Sequence, residues 1–373
     1  MQVTAYNYKK IDDALFKIAN RLSKIPCLPI NLEVEREKFF KDSFYHPKFK
    51  YDKPDSSIDA LKIILNKIKI PDTSLGKLLS KKQNELIKIC DMMKSVGTSA
   101  FSRHSKELLG RPDSELVAKA NKLIAIHDEP EKLFISTKQA IIHLKKSMDR
   151  YGFHWKIAEK EMAAKACVNL SSKTLFLKKG VFYTNKFLNR LVVHEIGTHI
   201  MRYENGLQQP YKIFSLGLTN YLGTEEGLAV VNEERHKCLT RATLKTYAAR
   251  VFAVNKALKC NFRETYNALL PYVGKDNAWD ITMRVKRGIG DTFFPGAFTK
   301  DYLYLKGYFD VKNFLKKGGN LYELYYGKIG LSDLPEMSKI EGMINPIFLS
   351  KMKHYTECIS YTGDDDDKGK KKK

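Results

Sequence analysis

Leu191-Val192-Val193-His194-Glu195-Ile196-Gly197-Thr198-His199 is the stretch on which the reading of this chain turns. Two histidines and a carboxylate lie inside an apolar run long enough to be a buried helix. An apolar helix rarely buries such groups without partners. Two imidazoles with a Glu beside the first are the parts of a zinc hydrolase: His194 and His199 as ligands, Glu195 as general base. In the familiar H-E-x-x-H helix the histidines are four residues apart, which puts them about 40° apart on one face. Here they are five apart, about 140° on an ideal α-helix. A single π-type turn inserts one residue and restores a common face. Gly197 lies between the histidines, where backbone distortion meets least steric resistance.

Working outward, Thr184-Asn185 is a good N-cap pair, and Phe187, Leu188, Leu191, Val192 and Ile196 give the helix a wide apolar face. Asn205-Gly206 is the expected C-cap. Upstream, residues 153–158, 166–169 and 174–177 read as short strands, with Ser171-Ser172-Lys173 as the turn between the last two. Strands running into a metal helix are the layout of a zincin, in which an edge strand binds extended peptide. The first 150 residues read as mostly helical. Ile58, Leu61, Ile64, Leu65 and Ile68 recur with helical period, and Ser136-x-x-Gln139 is a capping box whose helix ends near Gly152. His143, within that helix, reads as a surface or core residue. Beyond Tyr211, helices are expected over 225–238, 242–258, 263–270 and 278–287, and 301–315 mixes aromatic and charged residues. The expected fold class is therefore α+β and predominantly helical. It is a zincin-like metallopeptidase with a small β-sheet beside the active-site helix and a helical N-terminal region. The expected domains are 1–150 (helical), 151–360 (catalytic) and 361–373 (a charged tail). Asp364-Asp365-Asp366-Asp367-Lys368 within that tail resembles an enteropeptidase tag remnant.

A catalytic zinc takes three protein ligands and a water. Thr224-Glu225-Glu226-Gly227-Leu228-Ala229 looks like a helix start, and Glu226 is the expected third ligand. Glu225 suits the helix N-terminal dipole. Glu233, seven residues on and sharing a face with Glu226, is the fallback ligand or a carboxylate that orients a histidine. The oxyanion of a tetrahedral intermediate needs a donor besides the metal, for which Tyr221 and Tyr304 are candidates. An exopeptidase also needs a cation for the terminal carboxylate, and Arg202, Arg284 and Arg287 are the candidate forks.

The formal charge of +23 falls only to about +22 without the tail, and 52 lysines against 13 arginines are spread along the chain. Solvated lysines explain most of this, and steering of an acidic substrate is the functional reading. No nucleic-acid signature, signal peptide or transmembrane segment is visible. The six cysteines form no C-x-x-C pair, which fits reduced thiols in a cytoplasmic protein.

His-Glu-Ile-Gly-Thr-His, followed by Arg202-Tyr203-Glu204-Asn205-Gly206 and then Thr-Glu-Glu-Gly-Leu-Ala, resembles the tyrosine carboxypeptidase family. That family includes the microtubule-associated tyrosine carboxypeptidases and bacterial QEGLA-motif proteins. The resemblance runs from about residue 10 to 320 and includes Phe49-Lys50-Tyr51, 284–288 and 296–301. It implies zinc held by His194, His199 and Glu226, with Glu195 catalytic. It also implies removal of the C-terminal tyrosine of α-tubulin, an acidic tail, in eukaryotic members. Two departures stand out. Glu225 replaces the family's Gln, and Lys286 stands where an aromatic is expected, which bears on substrate preference. Two other readings compete: a basic regulatory protein docking on acidic polymers, its metal structural or absent, and an endopeptidase, which needs no carboxylate clamp.

Overall fold

The computed structural model describes residues 7–23, 25–127, 134–162 and 165–348. The charged tail and Cys358 lie outside these residues. Helices α1 (Tyr8–Arg21), α2 (Leu32–Lys41), α3 (Ile58–Lys67), α4 (Ser74–Lys94), α5 (Ala100–Leu109) and α6 (Ser114–Ile124) come first. Their starts follow local chemistry: the side chains of Asn7, Thr73 and Asp113 accept from backbone N–H groups in the first turns of α1, α4 and α6. In α3, Ile58, Leu61 and Leu65 are buried as the period predicts, whereas Ile64 faces solvent.

Strand β1 (Ile135–Ser136) leads into α7 (Thr137–Tyr151), which opens with the expected Ser136/Gln139 capping box and ends at left-handed Gly152. His143 is buried in the core side of α7. Strands β2 (Lys156–Lys160), β3 (Ala166–Asn169) and β4 (Thr174–Lys178) form a sheet of order β2-β4-β3. β3 and β4 are an antiparallel hairpin with Ala166 opposite Leu177, and β2 runs parallel to β4 with Lys156 beside Thr174. Lys173 takes the positive φ of 44° that the hairpin turn needs. β5 (Phe182–Tyr183) pairs with β1 as a second, two-residue ribbon that the sequence reading lacked.

Helix α8 (Asn185–Leu191) follows, with Thr184 Oγ1 accepting from Phe187 N at 3.0 Å. A π-helical segment, Val192–Ile200, comes next, then α9 (Met201–Gln208). The helical path therefore runs past the expected stop at Asn205-Gly206. Gly206 serves close approach instead: a Cβ there would crowd the backbone of Phe214. The remaining helices are α10 (Ile213–Leu216), α11 (Tyr221–Arg235), α12 (Arg241–Ala257), α13 (Phe262–Val273), α14 (Lys275–Lys286), α15 (Leu303–Lys316) and α16 (Leu334–Met337). The molecule is thus mostly helical with small sheets. No helix among the described residues is long and apolar enough to cross a membrane.

The described residues form two compact units, one within 1–129, 202–231 and 240–346, the other within 130–201, 232–239 and 347–348. The expected boundary near 150 does not follow this division. The physical reason is a shared core in the first unit. Leu15 and Ile18 of α1, Leu61 and Leu65 of α3, and Leu78 and Leu86 of α4 pack with Phe214, Leu218 and Ile329 from far down the chain. The second unit holds the small sheets, α7, α8 and the π-helical segment.

Within the first unit, α11 and α15 meet backbone to backbone. A Cβ on Gly227 would overlap the main chain of Gly307, and one on Gly307 would overlap the main chain of Gly223. No side chain can move aside to relieve this. Gly227→Ala should therefore cost about 3 kcal/mol, lowering the melting temperature by roughly 5–10 °C in a thermal denaturation scan. An unchanged melting temperature would contradict this packing.

Candidate metal centre

The widened turn that the five-residue spacing calls for is present. At its end the Met201 N–H reaches back five residues to the Ile196 carbonyl. Near its middle the Thr198 hydroxyl donates to the Val193 carbonyl, also five back, at 3.0 Å. The consequence is that His194 and His199 share a face, with ring centroids 4.9 Å apart. One potential ligand atom from each of His194, Glu195 and His199 lies within 4.8 Å of the others. His194 is buried, and Glu195 and His199 are partly exposed.

The second layer comes from α11. Glu233, fully buried, places Oε1 2.7 Å from His194 Nδ1. A carboxylate accepts, so this contact puts a proton on Nδ1, and in the neutral ring Nε2 is then the nitrogen that can ligate a metal. Arg190 approaches the same Glu233 oxygen at 3.5 Å. Of the two alternatives for Glu233, histidine orientation is the one its contact fits.

Glu226 is buried on α11, in the other compact unit. Its charge acts on Tyr304 and Arg284. Tyr304 stacks on Tyr247 with centroids 5.3 Å apart, beneath the Arg250 guanidinium at 4.8 Å. Burial, and then the Glu226 charge, push the Tyr304 phenol well above its ordinary range, so it stays a hydrogen-bond donor. Arg284 grips Asp301 with a bidentate fork, Nε to Oδ2 at 2.6 Å and Nη2 to Oδ1 at 3.0 Å. Arg287 is held more loosely, 3.7 Å from Asp301. Burial alone would raise the Asp301 carboxyl, but Arg284, Arg287 and Arg250 outweigh it and hold the group well below its ordinary range.

Several expected roles change. Arg202 has no exposed surface and is not available as a clamp. Its Nε donates to the Leu324 and Gly327 carbonyls, Nη2 to Ile329 O at 2.6 Å, and Nη1 to Glu225 at 3.0 Å. Glu225 does not serve a helix start, because α11 begins a turn earlier, at Tyr221. It is instead 3% exposed and bonded to both Arg202 and Lys328. The extra negative charge beside Glu226 is thus balanced by two buried cations. Burial, and then Glu225, push the Tyr221 phenol up. Lys286 reaches no substrate surface. Fully buried, it donates to the carbonyls of Ala257, Cys260 and Phe294 at 3.3, 2.7 and 3.1 Å, and burial pushes its ammonium down to about 7. The residues that the sequence reading missed are Asn232, Asp301, Arg250 and Lys328. Asn232 and Arg250 lay in expected helices with no role assigned, Asp301 lay in the stretch 296–301, and Lys328 lay in none.

A family model for "Microtubule-associated tyrosine carboxypeptidase" matches residues 37–357. This chain belongs to that family. Among its relatives, a mouse protein named "Putative tyrosine carboxypeptidase MATCAP2" is 27% identical over 347 residues, covering 89% of this chain and 59% of the relative. Microtubule-associated tyrosine carboxypeptidase 1 of mouse is 24% identical over 366 residues, covering 92% of this chain and 70% of the relative. Its human counterpart is 26% identical over 304 residues, covering 76% of this chain and 56% of the relative. The chain therefore spans between about half and about 70% of the length of these relatives.

Two measurements check the charge networks. Glu225→Gln removes the carboxylate bonded to both buried cations and should destabilise the fold by about 3–5 kcal/mol in urea denaturation. Adding Lys328→Met should recover part of that loss, and additive effects would contradict the pairing. Asp301 has a folded pKa below its ordinary 3.8, so its contribution is present above that value and disappears as pH falls through the folded one. Asp301→Asn should lower the melting temperature most at pH 5 and above, and the gap to wild type should narrow below about pH 4. A gap independent of pH would show that the carboxylate charge is not what stabilises.

Proposed function

We propose that this protein is a zinc metallocarboxypeptidase that removes a C-terminal aromatic residue, foremost tyrosine, from acidic peptide or protein tails such as that of α-tubulin. The observation that carries the reading is the π-widened turn, which sets His194 and His199 on one face with Glu195 beside them and Glu233 behind His194. This donor set suits zinc: two imidazoles, one with its tautomer fixed by a carboxylate, and no thiolate in the cluster. His194 and His199 would hold the ion, and Glu226 is the third ligand that the family resemblance implies. When bound, zinc supplies an acidified water and polarises the scissile carbonyl.

The chain's own residues do the rest. Glu195 takes the proton of the attacking water and returns it to the leaving amine. Tyr304, kept protonated by burial, is our candidate donor for the developing oxyanion. Arg287, less tightly engaged with Asp301 than Arg284, is our candidate fork for a terminal carboxylate. Strands β2 and β3, at the edges of the sheet, are where an extended peptide would add if the sheet serves as it does in a zincin. The net charge of +23 favours encounter with acidic tails. Family membership and the relatives' names support the peptidase reading and the choice of tyrosine.

Mass spectrometry of acidic peptides ending in tyrosine tests this. The zinc-loaded protein should release the terminal residue, C-terminal amidation should block release, and Glu195→Gln should abolish it while one zinc per chain is retained. Cleavage that survives Glu195→Gln would overturn the mechanism. Internal cleavage of the amidated peptide would make the protein an endopeptidase.

A further inference from the structure

A π-helical stretch is rarer than the α-helix the same residues could form, so the widened turn at Val192–Ile200 needs something to hold it open. Thr198 shows what does. In an α-helix a threonine hydroxyl bonds back to the carbonyl three or four residues earlier. Here it bonds to Val193 O, five earlier, at 3.0 Å. The same hydroxyl accepts from Asn232 Nδ2 at 2.9 Å. A hydroxyl that accepts from a fixed amide has its own proton turned away, toward the carbonyl. Asn232 thereby orients the Thr198 proton onto the one acceptor that exists at that distance only when the turn is wide. Thr198 and Asn232 are both fully buried, so water does not compete for either bond.

The next residue on α11, Glu233, holds His194 Nδ1. Asn232 and Glu233 are thus neighbours acting on the same helix at two points. Glu233 fixes a ligand ring, and Asn232, through Thr198, fixes the turn that separates the two ligands.

Building on the metal reading above, we propose that Asn232 and Thr198 are positioning residues: together they latch the π turn in the register that lets His194 and His199 share one ion. Neither touches the ion or the substrate. Their effect is on how well the empty site is preformed, and so on metal affinity and ligand geometry.

The test uses the full chain. Zinc affinity is measured by chelator competition, and ligand geometry by the visible absorption of the cobalt-substituted protein, with melting temperatures recorded with and without metal. Thr198→Val keeps the shape and removes both bonds. It should weaken zinc binding about ten- to a hundredfold and shift the cobalt spectrum. Thr198→Ser keeps the hydroxyl and should stay within about threefold of wild type. Asn232→Ala leaves the hydroxyl unoriented and should fall between them. Should Thr198→Val fail to fold, Asn232→Ala against Thr198→Ser decides the matter. The melting-temperature rise on adding zinc should shrink in the weakened variants, by linkage. Wild-type zinc affinity and an unchanged cobalt spectrum in both Thr198→Val and Asn232→Ala would overturn the latch, even if both melt lower, and would leave the metal reading standing. A wild-type protein that takes up neither metal would instead remove the metal reading, and the latch with it.

Discussion

A helix that must present residues five apart to one point has to widen, and everything that can be said of this protein's chemistry depends on that widening. His194 and His199 on an unmodified α-helix would face directions about 140° apart and could serve no common ion. One extra residue per turn brings their rings to 4.9 Å. The widening is defined by bonds that reach five residues back, from Met201 to Ile196 and from Thr198 to Val193. It is braced from outside by two consecutive side chains of α11, Asn232 and Glu233. A local departure from regular helix geometry is thus maintained by tertiary hydrogen bonds that a surface helix would lack.

The first compact unit solves a different problem, the burial of charge. Glu225, Arg202 and Lys328 are each nearly inaccessible, and each would be costly alone. Glu225 pairs with both cations while the Arg202 guanidinium satisfies the carbonyls of residues 324, 327 and 329. The buried Glu225 carboxylate therefore has its counterweights in Arg202 and Lys328. Asp301 plays the corresponding part for Arg284 and Arg287. In both clusters the charged groups lie beside Tyr221 or Tyr304, whose phenols are pushed toward the protonated state by the same burial.

What the sequence could reveal was local. The five-residue spacing required a wide turn, Thr184 announced a helix start, Ser136 with Gln139 announced another, and Ser171-Ser172-Lys173 marked a hairpin. Each is a rule about neighbours within five residues, and each appears in the structure. What escaped was non-local. Arg202 looked like a free fork because its carbonyl partners lie more than 120 residues downstream. Lys286 looked like a specificity residue because nothing nearby shows that three carbonyls enclose it. Glu225 looked like a dipole partner because Thr224 resembles a helix start, whereas α11 begins at Tyr221. β1 and β5, two residues each, are too short to show any period. The N-terminal helices could not be seen to share a core with residues 213–218 and 329, so the compact units differ from the boundary drawn near 150.

Zinc X-ray absorption on the purified protein tests the central claim most directly. The account predicts one zinc per chain, bound by two imidazole nitrogens with oxygen completing the shell and no sulfur. A chain that retains no stoichiometric zinc, or whose zinc sees one imidazole or a thiolate, would contradict the sharing of one ion by His194 and His199.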